Sequence, residues 1–273
     1  MHTLTRTVRF ALNPPGQRGG DANAYAGRPS MLGLRAHMEV DVACEGEADP
    51  VTGYVIDIKT IDRAVRESVV PILERTIGAP NASSIPDLLR DLIDALSPRL
   101  PVTLRALTLR PSPYYRVAMD TNDRRHVLMT QRFDISAAHR LHAPSLSDEQ
   151  NATLYGKCNN PRGHGHNYVV EPCVEIEAGI GDRFTLQDLE RLTDRHIVQP
   201  FDHKHLNEDT PEFDARRGGV LPSVENISRV FYERLRPALE SEHPGVRLRT
   251  MTVWETDRTR ATYPSTSGRI DRS

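Results

Sequence analysis

The stretch Cys158-Asn-Asn-Pro-Arg-Gly-His164-Gly-His166-Asn-Tyr168 places a cysteine shortly before two histidines that are two residues apart. On a β-strand, side chains at i and i+2 point to the same face, so the two imidazoles would lie side by side. Such a pair is half of a metal site, and histidine is a common zinc ligand. A third imidazole, His139, is available upstream. Three histidines without a fourth protein ligand would leave an open coordination position, as catalytic zinc sites do.

A His-x-His pair alone is weak evidence for a metal, because the chain has 11 histidines and some close pairs arise by chance. The surrounding residues are more specific. The run Leu154–Tyr168, with Ala-Ala-His139 before it, resembles the 6-pyruvoyltetrahydropterin synthase and 6-carboxytetrahydropterin synthase family. The resemblance extends over about Val127 to Tyr263 and continues through three further motifs: Phe201-Asp202-His203-Lys-His-Leu-Asn207, Pro222-Ser-Val-Glu225-Asn226 and Val253-Trp-Glu255-Thr256.

This resemblance implies an α+β tunnelling fold (T-fold). Its module is a four-stranded antiparallel sheet with two helices on one face, and several subunits assemble into a barrel. The pattern of the chain predicts that this order of elements occurs twice. Setting His37 on His166 also sets Cys44 on Cys173, and Ser84–Pro98 then lies over Ser223–Pro237 without a gap. We interpret the chain as a tandem duplication of one folding unit.

The predicted domains are residues 1–118 and 127–265, divided in the polar stretch 119–125. In the first domain we predict a hairpin whose second strand is Tyr54–Ile58, and a helix that starts at Ser84 with an early proline. Arg35 replaces His164 there, and no cysteine stands at the position of Cys158. We therefore expect a degenerate module without a zinc site. The alternative that remains is that Arg35 or Arg75 binds substrate phosphates across an interface.

In the second domain, the resemblance implies that His139, His164 and His166 bind one Zn²⁺. Cys158, which we predict to follow a strand and a Tyr-Gly turn, would be the proton-abstracting base. A cysteine near a dication and a histidine can ionise below its free pKa of about 8.5. Asp202 and His203 would assist this cysteine, often from a neighbouring subunit.

The family anchors its pterin on the glutamate that matches Glu255, directly after a predicted strand, with Thr256 beside it. Glu225 would also lie near the substrate, or it could simply be an acid in the first turn of a helix capped by Ser223. Of the other histidines, we expect His142 and His196 to be solvated or structural, and His205 to support a ligand.

The implied reaction is a zinc-dependent carbon–oxygen lyase reaction. It converts 7,8-dihydroneopterin triphosphate to 6-pyruvoyltetrahydropterin with elimination of triphosphate. The alternative is 6-carboxytetrahydropterin synthesis, in which the side chain is cleaved with release of acetaldehyde on the route to deazapurines such as queuosine. The five residues between Cys158 and His164 favour the pyruvoyl type. Retro-aldol cleavage is disfavoured because members that perform it tend to have glutamate in place of this cysteine. A non-catalytic pterin- or zinc-binding protein would not need Cys158, Asp202 and His203.

The composition of the chain argues against several other classes of protein. The net charge of -2 and the pI of about 6.6 do not indicate a nucleic-acid surface. No apolar run approaches the roughly 18 residues of a membrane span, and the first residues lack the apolar segment of a secretory signal. Three cysteines without disulfide-framework spacing fit a reducing compartment. We therefore expect a cytoplasmic protein. The family resemblance further implies a homo-oligomer whose sites lie at or near subunit interfaces, with a small-molecule pterin as substrate.

Overall fold

The computed structural model describes residues 1–14, 16–17, 19–20, 25, 27–76 and 83–265. It confirms a mixed fold of helices and mainly antiparallel strands. The chain divides into two compact units, which are Met1–Met129 with Ile176–Arg183, and Thr130–Glu175 with Phe184–Ser273. Within the described ranges, no helix combines the length and the apolarity that a membrane crossing requires.

The first unit is built on long antiparallel strands. Strands β1 (His2–Leu12) and β2 (Ala36–Gly46) pair along their whole length, with Val8 opposite Val40. The sheet continues from β2 through β3 (Thr103–Ser112) and β4 (Tyr115–Asp120) to β5 (Asp123–Gln131). The stretch 119–125, which the sequence predicts to be a domain boundary, is therefore the end of β4, a turn and the start of β5. The division between the units falls instead at Met129–Thr130.

Helices α1 (Ile58–Thr76) and α2 (Ile85–Leu96) belong to the first unit. The α2 prediction is confirmed: the Ser84 hydroxyl accepts a hydrogen bond from the Asp87 amide and caps the helix. The predicted strand Tyr54–Ile58 is wrong, because residues 54–57 form irregular backbone with a bend and Ile58 is the first residue of α1. The Asp49 carboxylate accepts hydrogen bonds from the amides at 51 and 52, so this stretch is a closed turn without a strand partner.

The second unit also starts from a long antiparallel pair, β6 (Phe133–His139) and β7 (His164–Glu177). The two-residue β8 (Lys204–His205) runs parallel to β6, and β9 (Val246–Thr256) pairs with β7 and with β10 (Thr259–Tyr263). Within this unit the strand order is β10-β9-β7-β6-β8. With β8 the unit has five strands, where the sequence predicts four.

Five helices connect these strands: α3 (Asp148–Tyr155), α4 (Leu186–Thr193), α5 (Gln199–Phe201), α6 (Leu206–Asp209) and α7 (Val224–Glu242). The longest, α7, has buried side chains at helical spacing, including Ile227, Phe231 and Leu235. The predicted strand before Cys158 is wrong, because residues 148–155 form α3. Ser147 and Gln150 make a capping box at its start, which accounts for the helix.

Candidate metal centre and surrounding groups

Three imidazoles meet at the adjoining ends of β6 and β7. His139 lies directly opposite His164 in the strand register, and His166 lies two residues further along β7 on the same face. One ring nitrogen from each histidine falls within 4.8 Å of the others. The Nε2 atoms of His139 and His164 are 3.0 Å apart. The predicted grouping of these side chains is therefore present in the structure.

A backbone carbonyl sets the orientation of His139. Its Nδ1 lies 2.7 Å from the carbonyl oxygen of Pro222, so Nδ1 carries the hydrogen and donates it. This tautomer leaves the lone pair of Nε2 directed into the cluster. The side chain is fully buried, and this burial is the main reason that the pKa of His139 falls to about 4. The imidazole is consequently neutral at physiological pH, as a metal ligand must be.

The other two imidazoles also fit a metal. Burial, together with the charge of His166, lowers the pKa of His164. His166 Nε2 is buried without a hydrogen-bond partner among the described residues, although buried nitrogens are nearly always paired. A cation would satisfy this nitrogen, and a set of three imidazole donors suits zinc. The residues present can therefore hold a zinc ion.

Glu255 brings a carboxylate to the same place. Its Oε1 lies 3.3 Å from His139 Nε2 and 3.5 Å from His166 Nε2. The residue is the second-last of β9, so it lies within that strand rather than after it. A carboxylate at this distance can accept a hydrogen bond from a protonated imidazole or face a bound cation. Glu255 is thus part of the centre, and its predicted role in binding the pterin remains a prediction.

Tyr168 packs against two of the three histidines from the protein interior. It follows His166 on the same face of β7 and is fully buried. Its ring makes edge contacts with His139 and His166, at centroid distances of 6.1 and 5.5 Å. The hydroxyl has no hydrogen-bond partner in the described part of the chain. Burial raises the pKa of Tyr168, and the charges of Glu255 and Cys158 add to that rise. The sequence analysis gives Tyr168 no role, although its position two residues after His166 places it on the same face of a strand.

Cys158 lies in a short 3₁₀ turn, Gly156–Asn159, that directly follows α3. It is a free, half-buried thiol. The turn is attached to the strand that carries the first histidine, because the Leu141 amide donates a 2.8 Å hydrogen bond to the Cys158 carbonyl. Cys158 is not among the groups whose donor atoms lie within 4.8 Å of one another, which are the three histidines.

Asp202 and His203 form a hydrogen-bonded pair at the edge of β6. His203 Nδ1 lies 2.8 Å from Asp202 Oδ2, and Asp202 Oδ1 accepts a 2.8 Å bond from the Ser136 amide. These contacts lower the pKa of Asp202, with the Ser136 amide as the largest cause. His203 has a positive φ of 55° and a largely exposed ring. His203 and His166 both line an open pocket of about 490 Å³.

Glu225 and Thr256 are less connected to this centre. Glu225 is an exposed acid in the first turn of α7, and Ser223 caps that helix, as the alternative reading of the sequence expects. Thr256 is the exposed last residue of β9, and its hydroxyl accepts a hydrogen bond from the Arg258 amide. A substrate-binding role for either residue therefore stays a prediction.

Gly163 is required by the packing of the centre. Its φ is +71°, and a Cβ atom would lie 2.5 Å from His205 Nε2 and 2.9 Å from the His139 carbonyl oxygen. Any side chain here would displace one of these two histidines. His205 Nε2 therefore lies against Gly163, the residue before His164, and the expected supporting role of His205 stays a prediction.

Comparisons with known proteins agree with this geometry. Residues 128–266 match the family described as 6-pyruvoyl tetrahydropterin synthase. The human 6-pyruvoyl tetrahydrobiopterin synthase is 39% identical over 137 residues, which cover 50% of this chain and 89% of the human protein. The Dictyostelium discoideum enzyme of the same name is 35% identical over 118 residues, which cover 42% of this chain and 83% of that protein.

Among solved structures, the 6-pyruvoyl tetrahydropterin synthase of Caenorhabditis elegans is 30% identical, with a TM-score of 0.44, and the match covers 52% of this chain and 96% of that one. The family match spans half of the chain and contains the three histidines, Cys158, the Asp202–His203 pair and Glu255. The chain therefore belongs to the 6-pyruvoyl tetrahydropterin synthase family.

Proposed function

We propose that the second unit converts 7,8-dihydroneopterin triphosphate to 6-pyruvoyltetrahydropterin with elimination of triphosphate, and that the reaction depends on zinc. The observation that carries this proposal is the cluster of three histidines, with one ring nitrogen from each within 4.8 Å of the others, inside the segment that matches the family. The human relative is named for this product.

His139, His164 and His166 are the residues that would hold the zinc ion. When bound, zinc supplies a Lewis acid that acidifies C–H and O–H bonds next to a coordinated oxygen. The hydrogen bond from His139 to the Pro222 carbonyl keeps this ligand in the tautomer that offers Nε2.

Cys158 would take and return the protons that move between the side chain of the substrate and its ring. It is a free thiol on a turn tied to the strand end that carries His139. The Asp202–His203 pair would assist, because a carboxylate that accepts from Nδ1 leaves Nε2 of His203 free to exchange a proton. His203 is exposed, so it is accessible to substrate or to a second copy of the chain.

Glu255 would anchor the pterin, since a carboxylate can accept two hydrogen bonds from the amino group and ring N–H of a pterin. Thr256 follows it directly, and Glu225 would contribute from the start of α7. The position of Glu255 oxygen near two imidazoles supports this role, because it places the anchor close to the reacting side chain.

We also propose that the two units are tandem copies of the T-fold module, that the first lacks a zinc site, and that the chain forms homo-oligomers. The strand registers support duplication. His37 lies opposite Ala11 in the first unit, and the matching His166 lies opposite Ala137 in the second. One step beyond Leu12 and Ala36, the last pair of these strands, Asn13 stands where His139 would be. Its side chain bonds the backbone of Ser30 and Leu32.

The decisive experiment incubates the zinc-loaded protein with dihydroneopterin triphosphate and identifies the products by mass. A pyruvoyl product supports the proposal, and Cys158→Ala should abolish it while zinc content stays at one per chain. Cys173→Ala, at another half-buried thiol, is the matched control and should keep its activity. A carboxy product with acetaldehyde would replace the proposal with the deazapurine reaction. No turnover by a folded, zinc-loaded protein would indicate a binding protein.

A further inference from the structure

The turn that carries Cys158 is held by the two residues after His139. The Leu141 amide donates to the Cys158 carbonyl at 2.8 Å. The guanidinium of Arg140 donates through Nε to the backbone carbonyl of Asn159 at 3.3 Å and to its side-chain oxygen at 3.2 Å. Consecutive carbonyls of the turn are thus bonded to the two consecutive residues that directly follow β6.

Arg140 is itself fixed at the backbone by a single side chain. Its amide donates to Asn207 Oδ1 at 2.7 Å, and its carbonyl accepts from Asn207 Nδ2 at 3.0 Å. One amide side chain therefore satisfies both backbone groups of Arg140. Because Arg140 directly follows His139, this contact also limits the movement of a residue in the three-histidine cluster.

His142 completes the arrangement. Its Nδ1 lies 3.0 Å from the side-chain oxygen of Asn159 and 3.2 Å from a terminal nitrogen of Arg140. Nδ1 donates to Asn159 in one tautomer and accepts from Arg140 in the other, so one of these two contacts is a hydrogen bond in each. With the two bonds from Arg140 Nε, movement of Asn159 still breaks more than one contact. The sequence analysis expects His142 to be solvated or structural, and the structure places it against the turn that bears the cysteine.

We propose that Arg140 is a positioning residue that fixes Cys158 relative to the three-histidine cluster. Its backbone is continuous with His139, and its guanidinium holds the residue next to Cys158. The guanidinium is a planar group with donors in fixed directions, so it can hold this spacing more rigidly than a flexible ammonium. The inference rests on the proposed function, because it assumes that Cys158 moves protons on a substrate held at the cluster.

The test compares Arg140→Ala and Arg140→Lys with the wild type. A displacement of about 1 Å of a reacting group can lower the rate roughly 100-fold. We expect Arg140→Ala to lower kcat by at least about tenfold while KM changes less than threefold, and Arg140→Lys to recover part of the loss. Zinc content should stay equal to that of the wild type, because the three histidines are unchanged.

Amide hydrogen exchange provides a readout that does not need turnover. The Leu141 amide should exchange at least about tenfold faster in Arg140→Ala, since its acceptor is the Cys158 carbonyl. The Arg140 amide should keep its protection, because its partner is Asn207. The control is Arg162→Ala, which removes an exposed cation from the segment that connects the Cys158 turn to β7. It should change neither the exchange rate of the Leu141 amide nor kcat.

Three results would overturn the proposal. The first is that kcat and the exchange rate of the Leu141 amide are unchanged in Arg140→Ala, and the second is that Arg162→Ala changes both as much as Arg140→Ala does. The third is that Arg140→Ala loses zinc and its amides exchange faster throughout the second unit. The last result would assign Arg140 to general stability. If Arg140→Ala does not fold, Asn159→Ala removes the acceptor side chain and carries the same expectations. If the wild type has no synthase activity, the proposed function fails, while the exchange pattern still decides whether Arg140 holds the turn.

Discussion

Acid should weaken the second unit through His139, and the size of the effect follows from its burial. The pKa of this histidine falls from 6.5 to about 4 on folding. The folded state therefore keeps the ring neutral while the unfolded state takes up a proton below pH 6.5. Stability is retained above the unfolded pKa and is lost as the pH falls from 6.5 toward 4. At about 1.4 kcal/mol per pH unit, this group contributes a total loss of about 3 kcal/mol.

The single tryptophan of the chain allows the loss of unfolding free energy to be measured for the second unit. Trp254 lies on β9, next to Glu255, so its fluorescence reports the unfolding of the second unit. Urea titrations of the metal-free protein at pH 7 and 4.5 give the change in unfolding free energy between the two conditions. The His139→Asn variant should lose about 2.5 kcal/mol less than the wild type over this interval, because it lacks the titrating ring.

A variant at an exposed histidine of the first unit, His2→Asn, is the control and should follow the wild type. Equal pH dependence of the wild type and His139→Asn would refute the reasoning. It would mean either that the ring is protonated in the folded state, or that the unfolded chain keeps it as buried as the folded one does.

Three further predictions concern the same centre. Tyr168→Phe should raise the unfolding free energy of the metal-free protein by about 1 kcal/mol, because it removes a buried hydroxyl that has no hydrogen-bond partner among the described residues. A lower unfolding free energy in urea titrations would show that this hydroxyl is hydrogen-bonded. Gly163→Ala should lower the zinc content in a metal-content assay, since this residue has a φ of +71° and its Cβ would lie 2.9 Å from the backbone oxygen of His139; full zinc content would contradict this. Adding zinc at 100 times its Kd should stabilise the second unit by about 2.7 kcal/mol, and His166→Ala should remove most of this gain in thermal unfolding.

The strand pair at the centre could be predicted from the sequence because its signal is local. The i, i+2 spacing of His164 and His166 fixes a common face once the segment is a strand, and the structure has that strand. The helix before Cys158 was missed although its capping box, Ser147 and Gln150, is visible in the sequence.

Contacts made by backbone groups could not be predicted in this way. The partner of His139 Nδ1 is a carbonyl that lies 83 residues further along the chain, and every residue type has a carbonyl. The contacts of Arg140 with Asn159 and Asn207 likewise depend on how three separate segments meet. The placement of the Glu255 oxygen within 3.5 Å of two imidazoles required the packed strands.

The buried Asn13 of the first unit bears on whether a metal site could be built there. Its amide oxygen accepts from the Leu32 backbone, and its amide nitrogen donates to the Ser30 carbonyl, so this side chain ties the segment 30–32 to the residue that follows β1. Exchanging side chains alone would leave that segment in place and deprive it of both bonds. An engineer who wants a metal centre in the first unit must therefore rebuild this connection together with the side chains.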